Sequence, residues 1–265
     1  MTYLTSYDIV LSDKERGGAP PPKREDKMRK EKLFCVLDTE TCGTVEKPIV
    51  YDLGYIIFDK KGKIYAKRSI VISDIFFNSN LEVTKAISEC YYCNKIPQYK
   101  QGILRGRWLL RTFQQAKDEL ATVLKKYNVQ DIWCYNAGFD KRALKNTTIL
   151  KGCGYNYVDE VTFKDIWNCA SELICNNKNY CTWAYQNGFE SKKGNVKTSA
   201  EVVYRYLTKD TNFIESHTAL DDCFIEKEIF LACKRKKKKI SCACGSHWMI
   251  PQAKYKKVKS KQSKE

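Results

Sequence analysis

The chain has 265 residues, with 47 Lys and Arg against 31 Asp and Glu and a formal charge of +16. Its 43% hydrophobic and 12% aromatic residues suffice for a buried core and exclude a disordered or low-complexity chain. No run approaches the roughly 18 to 20 apolar residues of a membrane span, and thirteen cysteines, an odd number, favour a reducing, cytoplasmic setting over a disulfide framework.

Residues 1–32 carry 8 basic and 6 acidic side chains around Gly17-Gly18-Ala19-Pro20-Pro21-Pro22 and are expected to form a flexible leader. Met1 to Leu11 lacks a basic flank followed by an apolar stretch, so no secretion signal is expected. Leu33 to Thr39 is a short apolar run that predicts a buried strand, and Ile49 to Phe58 predicts a second. Asp59-Lys60-Lys61-Gly62 reads as a turn into a third strand, Ile64 to Ile72.

Residues 81 to 93 have a helical pattern. Thr112 to Tyr127 is the clearest helix, with Phe113, Ala116, Leu120, Val123, Leu124 and Tyr127 on one face. Asp131 to Tyr135 predicts a fourth buried strand, and Asn136 opens a helix to about Thr148. After a less regular stretch from Lys151 to Gly194, helices are expected at Thr198–Leu207 and Ala219–Cys233. Three strands, a helix, a strand and further helices predict one α/β domain over residues 33–233, with a mixed central sheet flanked by helices.

Three acidic sites fall on this frame. Asp38 and Glu40, two residues apart at the end of the first strand, point to one face at the sheet edge where open α/β sheets hold ligands. Asp140 lies in the first turn of the helix that Asn136 is expected to cap, near its positive dipole end. In His217-Thr218-Ala219-Leu220-Asp221-Asp222, Thr218 and Asp221 have the spacing of a capping box. That leaves His217 and Asp222 at the two positions that touch in a hydrophobic staple.

Asp38, Glu40, Asp140 and Asp222 are hard oxygen ligands suited to Mg²⁺ or Mn²⁺. Two such ions about 3.5 to 4 Å apart would clamp the attacking and leaving oxygens of a phosphodiester. His217, with an ordinary pKa near neutrality, is the candidate general base.

These residues resemble the DnaQ-like 3'-to-5' exonucleases in their histidine-containing (DEDDh) branch. The motifs occur in order as Asp38-Thr39-Glu40-Thr41-Cys42-Gly43, Asn136-Ala137-Gly138-Phe139-Asp140 with Leu144 following, and His217 five residues before Asp222. The resemblance covers roughly residues 33 to 233 and implies an RNase H-like fold. It further implies two metal ions on Asp38, Glu40, Asp140 and Asp222, a general base at His217, and Thr41 against the 3'-terminal nucleotide. Asn136 and Phe139 are further candidate substrate contacts. The long stretch Ser73–Arg111 and the stretch Lys151–Gly194 depart from the family pattern.

Residues 234–265 carry 12 basic side chains and 1 acidic one, including Lys234-Arg235-Lys236-Lys237-Lys238-Lys239. Such a tail is expected to condense on nucleic acid, with a nuclear-import signal or a solubilising tail as the alternatives. Cys242, Cys244 and His247, with Cys233, and the pair Cys90 and Cys93 are candidate zinc ligands; the alternative is that they are core or unligated thiols. Trp248 and Tyr255 are candidate stacking residues in that tail. Tyr91, Tyr92, Tyr99, Arg105, Arg107, Trp108 and Arg111 are either strand-guiding residues or core.

The expected function is metal-dependent 3'-to-5' hydrolysis of a single-stranded nucleic acid with a free 3' end, DNA favoured, alone or beside a replicative polymerase in trans. The alternatives are a 3'-to-5' exoribonuclease in RNA trimming or oligoribonucleotide turnover, and a non-catalytic nucleic-acid-binding module.

Overall fold

The computed structural model describes residues 32–90 and 93–236. Its centre is a six-stranded mixed sheet in the order β4-β3-β2-β1-β5-β6. The strands are β1 (Leu33–Gly43), β2 (Pro48–Asp59), β3 (Ile64–Ile72), β4 (Leu109–Arg111), β5 (Asp131–Cys134) and β6 (Thr162–Asp165). β1, β2 and β3 form an antiparallel meander, while β5 joins β1 and β6 joins β5 in parallel. The helices are α1 (Ser73–Phe76), α2 (Leu81–Ser88), α3 (Ile96–Leu104), α4 (Phe113–Lys126) and α5 (Ala137–Lys151), then α6 (Tyr157–Glu160), α7 (Ile166–Ala170), α8 (Lys178–Gln186), α9 (Ala200–Thr208) and α10 (Ala219–Arg235). This mixed sheet with flanking helices is the fold class that the sequence and its resemblance imply.

Strand alternation divides the core in two. Cys35 and Leu37 of β1 join a cluster with Phe113, Leu120 and Leu124 of α4 and Ala143 and Leu144 of α5. Phe34 and Val36 point the other way, into a cluster with Val203 of α9 and Ile225, Ile229 and Phe230 of α10. Both faces of β1 are covered, which is why its first half is uniformly apolar.

The expected helix over 112–127 forms as α4, started by a capping box. The Thr112 hydroxyl accepts from the Gln115 backbone N–H, and the Gln115 side chain accepts from the Thr112 N–H. α5 ends at Gly152 in the left-handed conformation, φ 61°. The Asp59–Gly62 turn forms as expected, with Gly62 N–H on the Asp59 carbonyl at 2.9 Å.

Several expectations are corrected. β1 continues to Gly43, with a register shift between Glu40 and Thr41, so Asp38 and Glu40 sit inside the strand and not at its end. The stretch 81–93 is not one helix: α2 stops at Ser88, a 3₁₀ turn spans Cys93–Lys95, and α3 follows. The strands β4 and β6 were not expected. β4 has only three residues and β6 has Lys164 and Asp165 among its four, too little apolar signal for either to stand out.

The 151–194 stretch is ordered as α6, β6, α7, a π-helical turn at Ser171–Cys175, and α8. α10 runs to Arg235, two residues past the helix end expected at Cys233. Among the described residues no helix is long and apolar enough to cross a membrane. The leader through residue 31, Tyr91, Tyr92, Cys242, Cys244, His247, Trp248 and Tyr255 lie outside the described residues.

Candidate active site

The sheet opens where β1 loses its parallel neighbour. β5 pairs with β1 only through Cys35 and Val36, so beyond Val36 that side of β1 is free and a crevice of about 310 Å³ forms. Asp38, Glu40 and Thr41 from β1, Phe139 and Asp140 from α5, and His217 and Asp222 from the start of α10 all line it. Three chain segments chosen on sequence grounds thus converge on one surface. One ligand atom each from Glu40, His217 and Asp222 lie within 4.8 Å of one another.

The placement of α10 depends on Gly54. Gly54 is the strand partner of Asp38, and a Cβ there would come within 2.3 to 2.5 Å of the backbone of Ala219 and Leu220. Only a residue without a side chain lets the helix start rest on the sheet beside Asp38. Asp52, two positions earlier in β2, ties the same point: its Oδ2 accepts from the Ala219 backbone N–H at 3.1 Å and from the Tyr99 hydroxyl at 2.7 Å.

The turn after β5 is held by Asp165. Its carboxylate accepts from the backbone of Asn168, Asn136, Trp167 and Ala137, fixing Asn136 in the left-handed conformation at φ 74°. Asn136 therefore occupies the N-cap position, but its side chain makes no cap hydrogen bond. The Thr39 hydroxyl donates to Asp140 Oδ1 at 2.8 Å across the two segments.

The expected capping box at Thr218 does not form. Thr218 makes no side-chain bond to the helix start; its hydroxyl donates instead to Asp221 Oδ2 at 2.8 Å, as does Ser216 at 3.0 Å. The Asp221 carboxylate gathers these hydroxyls and the Arg107 guanidinium, 2.7 Å away, instead of reaching back to the cap N–H as Asp159 does in α6. His217 itself has a positive φ of 54°, and its Nδ1 faces Glu215 Oε2 at 3.8 Å.

Burial and crowding push the acids up. The Asp38 carboxyl lies well above its usual range because of burial and then the charges of Asp140 and Asp222. Glu40 is raised by burial and by Asp38. Asp222 is pushed up to about 10 by burial and then Glu215 and Glu40. Asp140 rises to about 7 through burial, against the lowering effect of Thr39. His217 is lowered by burial and then by Lys95.

The donor set fits hard divalent cations. Four carboxylates line one crevice, Glu40, Asp140 and Asp222 of them buried, and Asp222 Oδ1 has no hydrogen-bond partner. Such acids are stable as anions only when cations neutralise them. Asp38, Glu40, Asp140 and Asp222 are the residues that would hold them.

The other candidates are distributed differently. Asn136 is exposed and lines an adjoining cavity and not the crevice. Tyr99 and Trp108 are core, their rings 4.7 Å apart, whereas Arg107 is exposed beside Asp221. Cys90 is buried in the first core cluster, Cys93 is exposed and Cys233 is in the second cluster. None of them joins a metal-ligating group among the described residues. Sequence reasoning missed Asp52, Gly54, Asp165, Glu215 and Glu226, whose roles arise from contacts distant in the chain; Glu215, two residues from His217, was the one within reach of a local pattern.

No family model matches the chain, and no curated protein matches it in sequence. Among solved structures it is similar to E. coli exonuclease I in complex with an oligonucleotide, at 14% identity over 78% of this chain and a TM-score of 0.49. It is also similar to cell-death related nuclease 4 (CRN-4), at 10% identity over 77% of this chain and 64% of that one, TM-score 0.46. A third is S. pombe Pop2p in its Mg²⁺- and Mn²⁺-bound form, at 10% identity over 76% of this chain and 83% of that one, TM-score 0.40. The chain matches 42% of the exonuclease I chain.

Proposed function

We propose that the protein is a metal-dependent 3'-to-5' exonuclease acting on single-stranded nucleic acid, with DNA preferred. The observation that carries this reading is the convergence of Asp38, Glu40, Asp140, Asp222 and His217 on one open crevice.

Divalent ions bound by the four carboxylates would supply a polarised water and a counter-charge for the leaving oxygen. The rest falls to the side chains of this chain. His217, lining the crevice and facing Glu215 through Nδ1, is the group to take a proton from water. Thr39 fixes the rotamer of Asp140 through its hydroxyl. Thr41 and Phe139, both lining the crevice, are the contacts for the terminal nucleotide. Arg107, half-exposed and paired with Asp221, is a candidate contact for a phosphate backbone.

The test is hydrolysis of 5'-labelled single-stranded DNA and RNA of one sequence with Mg²⁺, Mn²⁺ or EDTA, beside Asp38→Ala and His217→Ala. The expected result is a ladder shortening from the 3' end, absent in EDTA and in both variants, and faster on DNA. Faster cleavage of RNA would make the protein an exoribonuclease. Intact strands under every metal would overturn the nuclease reading in favour of a binding module.

A further inference from the structure

His217 belongs to a turn that one oxygen atom holds from both sides. At a φ of 54° it lies in the left-handed region, which a residue with a side chain keeps only where its surroundings fix it. The residues flanking it, Ser216 and Thr218, both donate their hydroxyls to Asp221 Oδ2, at 3.0 and 2.8 Å. The Arg107 guanidinium donates to the same oxygen at 2.7 Å.

An acid in the first turn of α10 is favoured by the helix dipole alone. That role is indifferent to where the carboxylate points, yet three donors meet on Oδ2, one of them from 114 positions earlier in the chain. Asp221 is not among the residues lining the crevice, so it acts through the backbone on either side of His217.

Arg107 is itself held where it can reach this oxygen. Its backbone N–H donates to the Gly102 carbonyl of α3 at 2.8 Å, and its guanidinium lies over the Trp108 ring, 4.7 Å from the centroid. Trp108 is buried against Tyr99 and passes so close to Gly102 that a Cβ there would fall 1.8 Å from the indole. Tyr99 in turn donates to Asp52, which accepts from the Ala219 backbone N–H. The stretch from Ile96 to Trp108 thus grips the start of α10 at two points, Ala219 through Asp52 and the His217 turn through Asp221.

We propose that Asp221, anchored by Arg107, is a positioning residue that holds His217 in its working place in the crevice. The proposal rests on the reading of His217 as the general base.

The test is kcat and KM for hydrolysis of 5'-labelled single-stranded DNA with Mn²⁺, beside thermal melts, for Asp221→Ala, Asp221→Asn and Arg107→Ala. Each is made in the wild-type chain and in His217→Ala. All three donors share one oxygen, which an amide also offers, so Asp221→Asn is expected to keep most of the rate. Asp221→Ala is expected to lower kcat by about 10- to 100-fold with KM little changed. In His217→Ala it should lower the residual rate by less than about twofold, because the two residues act as one unit. Arg107→Ala removes an exposed pair and is expected to lower kcat by about two- to fivefold. An equal loss from Asp221→Ala with and without His217, or from Asp221→Asn and Asp221→Ala, would overturn the proposal. A rise in KM as the whole effect of Arg107→Ala would overturn its anchoring part and assign that residue to the phosphate backbone.

The ¹⁵N spectrum of the histidine rings reads the same contact without cleavage. The chain has two histidines, so the His217 signals are those missing in His217→Ala. Asp221→Ala is expected to shift or broaden them, and Asp221→Asn to leave them in place. That result in a chain that cuts nothing would support the hold on His217 and contradict the nuclease reading alone, whereas signals unmoved by Asp221→Ala would overturn the proposal whatever the chain cleaves.

Discussion

The two ends of β2 carry buried aspartates with opposite fates. At the hairpin end, burial pushes the Asp59 carboxyl up, but the backbone N–H groups of Lys61 and Lys63 and the Tyr65 hydroxyl outweigh it and hold it below its usual range. At the crevice end, Asp52 is raised to about 7 by burial despite accepting from Tyr99 and Ala219. Its neighbours Asp38 and Glu40 are raised as well, and Asp222 is pushed up to about 10. The same sheet thus satisfies its acids where they only shape a turn and leaves them crowded where three segments meet. The contrast locates chemistry better than burial does, because both ends are buried.

The largest effects should come from the crevice end. Asp38→Ala and His217→Ala are each expected to lower hydrolysis by about 10²- to 10⁴-fold, with a change in melting temperature too small to explain it. Steady-state rates beside thermal melts check this, and a variant that melts normally and cuts normally would break the contrast.

Gly54→Ala comes next. The added carbon must displace the backbone of α10, at a cost of about 1 to 3 kcal/mol, and Asp222 and His217 move with it. Denaturant unfolding and activity should therefore fall together. At the hairpin end, Asp59→Asn is expected to cost about 1 to 2 kcal/mol from its lost hydrogen bonds and leave the cleavage rate untouched, which urea melts and the same assay would show.

The smallest effect is a slope. In EDTA, Asp140 and Asp222 have folded pKa values of about 7 and about 10, above the roughly 4 of an unfolded carboxyl. The folded chain therefore binds more protons than the unfolded one, so metal-free stability should fall as pH rises from about 5 toward 8. Saturating Mg²⁺ should flatten that slope. Asp59 acts with the opposite sign: its contribution is present above the unfolded pKa and is lost as pH falls through its lowered folded value. Melting temperatures across pH with and without metal separate the two.

Much of this was legible in the sequence because it is local. Asp-x-Glu at strand spacing, an acid in the first turn of α5 and a His five residues before an Asp survive any error in neighbouring elements. The meander was legible for the same reason, since Asp59 to Gly62 closes it with short-range contacts. Short, weakly apolar β4 and β6 were not, because their partners are distant and their own residues carry no periodicity.

Asn136 reads as an N-cap from its residue type, but Asp165 seizes the turn from the adjacent strand β6. Glu226 reads as a solvated helix residue; only the packing of α10 against β1 and β2 buries it. Tyr99 falls in a stretch that departs from the family pattern, yet it supplies the hydroxyl that steadies Asp52.

We propose that the crowded acids are a cation site held partly protonated until metal arrives. Titration calorimetry of Mn²⁺ into the metal-free chain at pH 7, in two buffers of different ionisation enthalpy, tests it most directly. The expected result is binding with release of at least about one proton per chain, lost in Asp38→Ala. Absence of binding, or binding with no proton release, would contradict it.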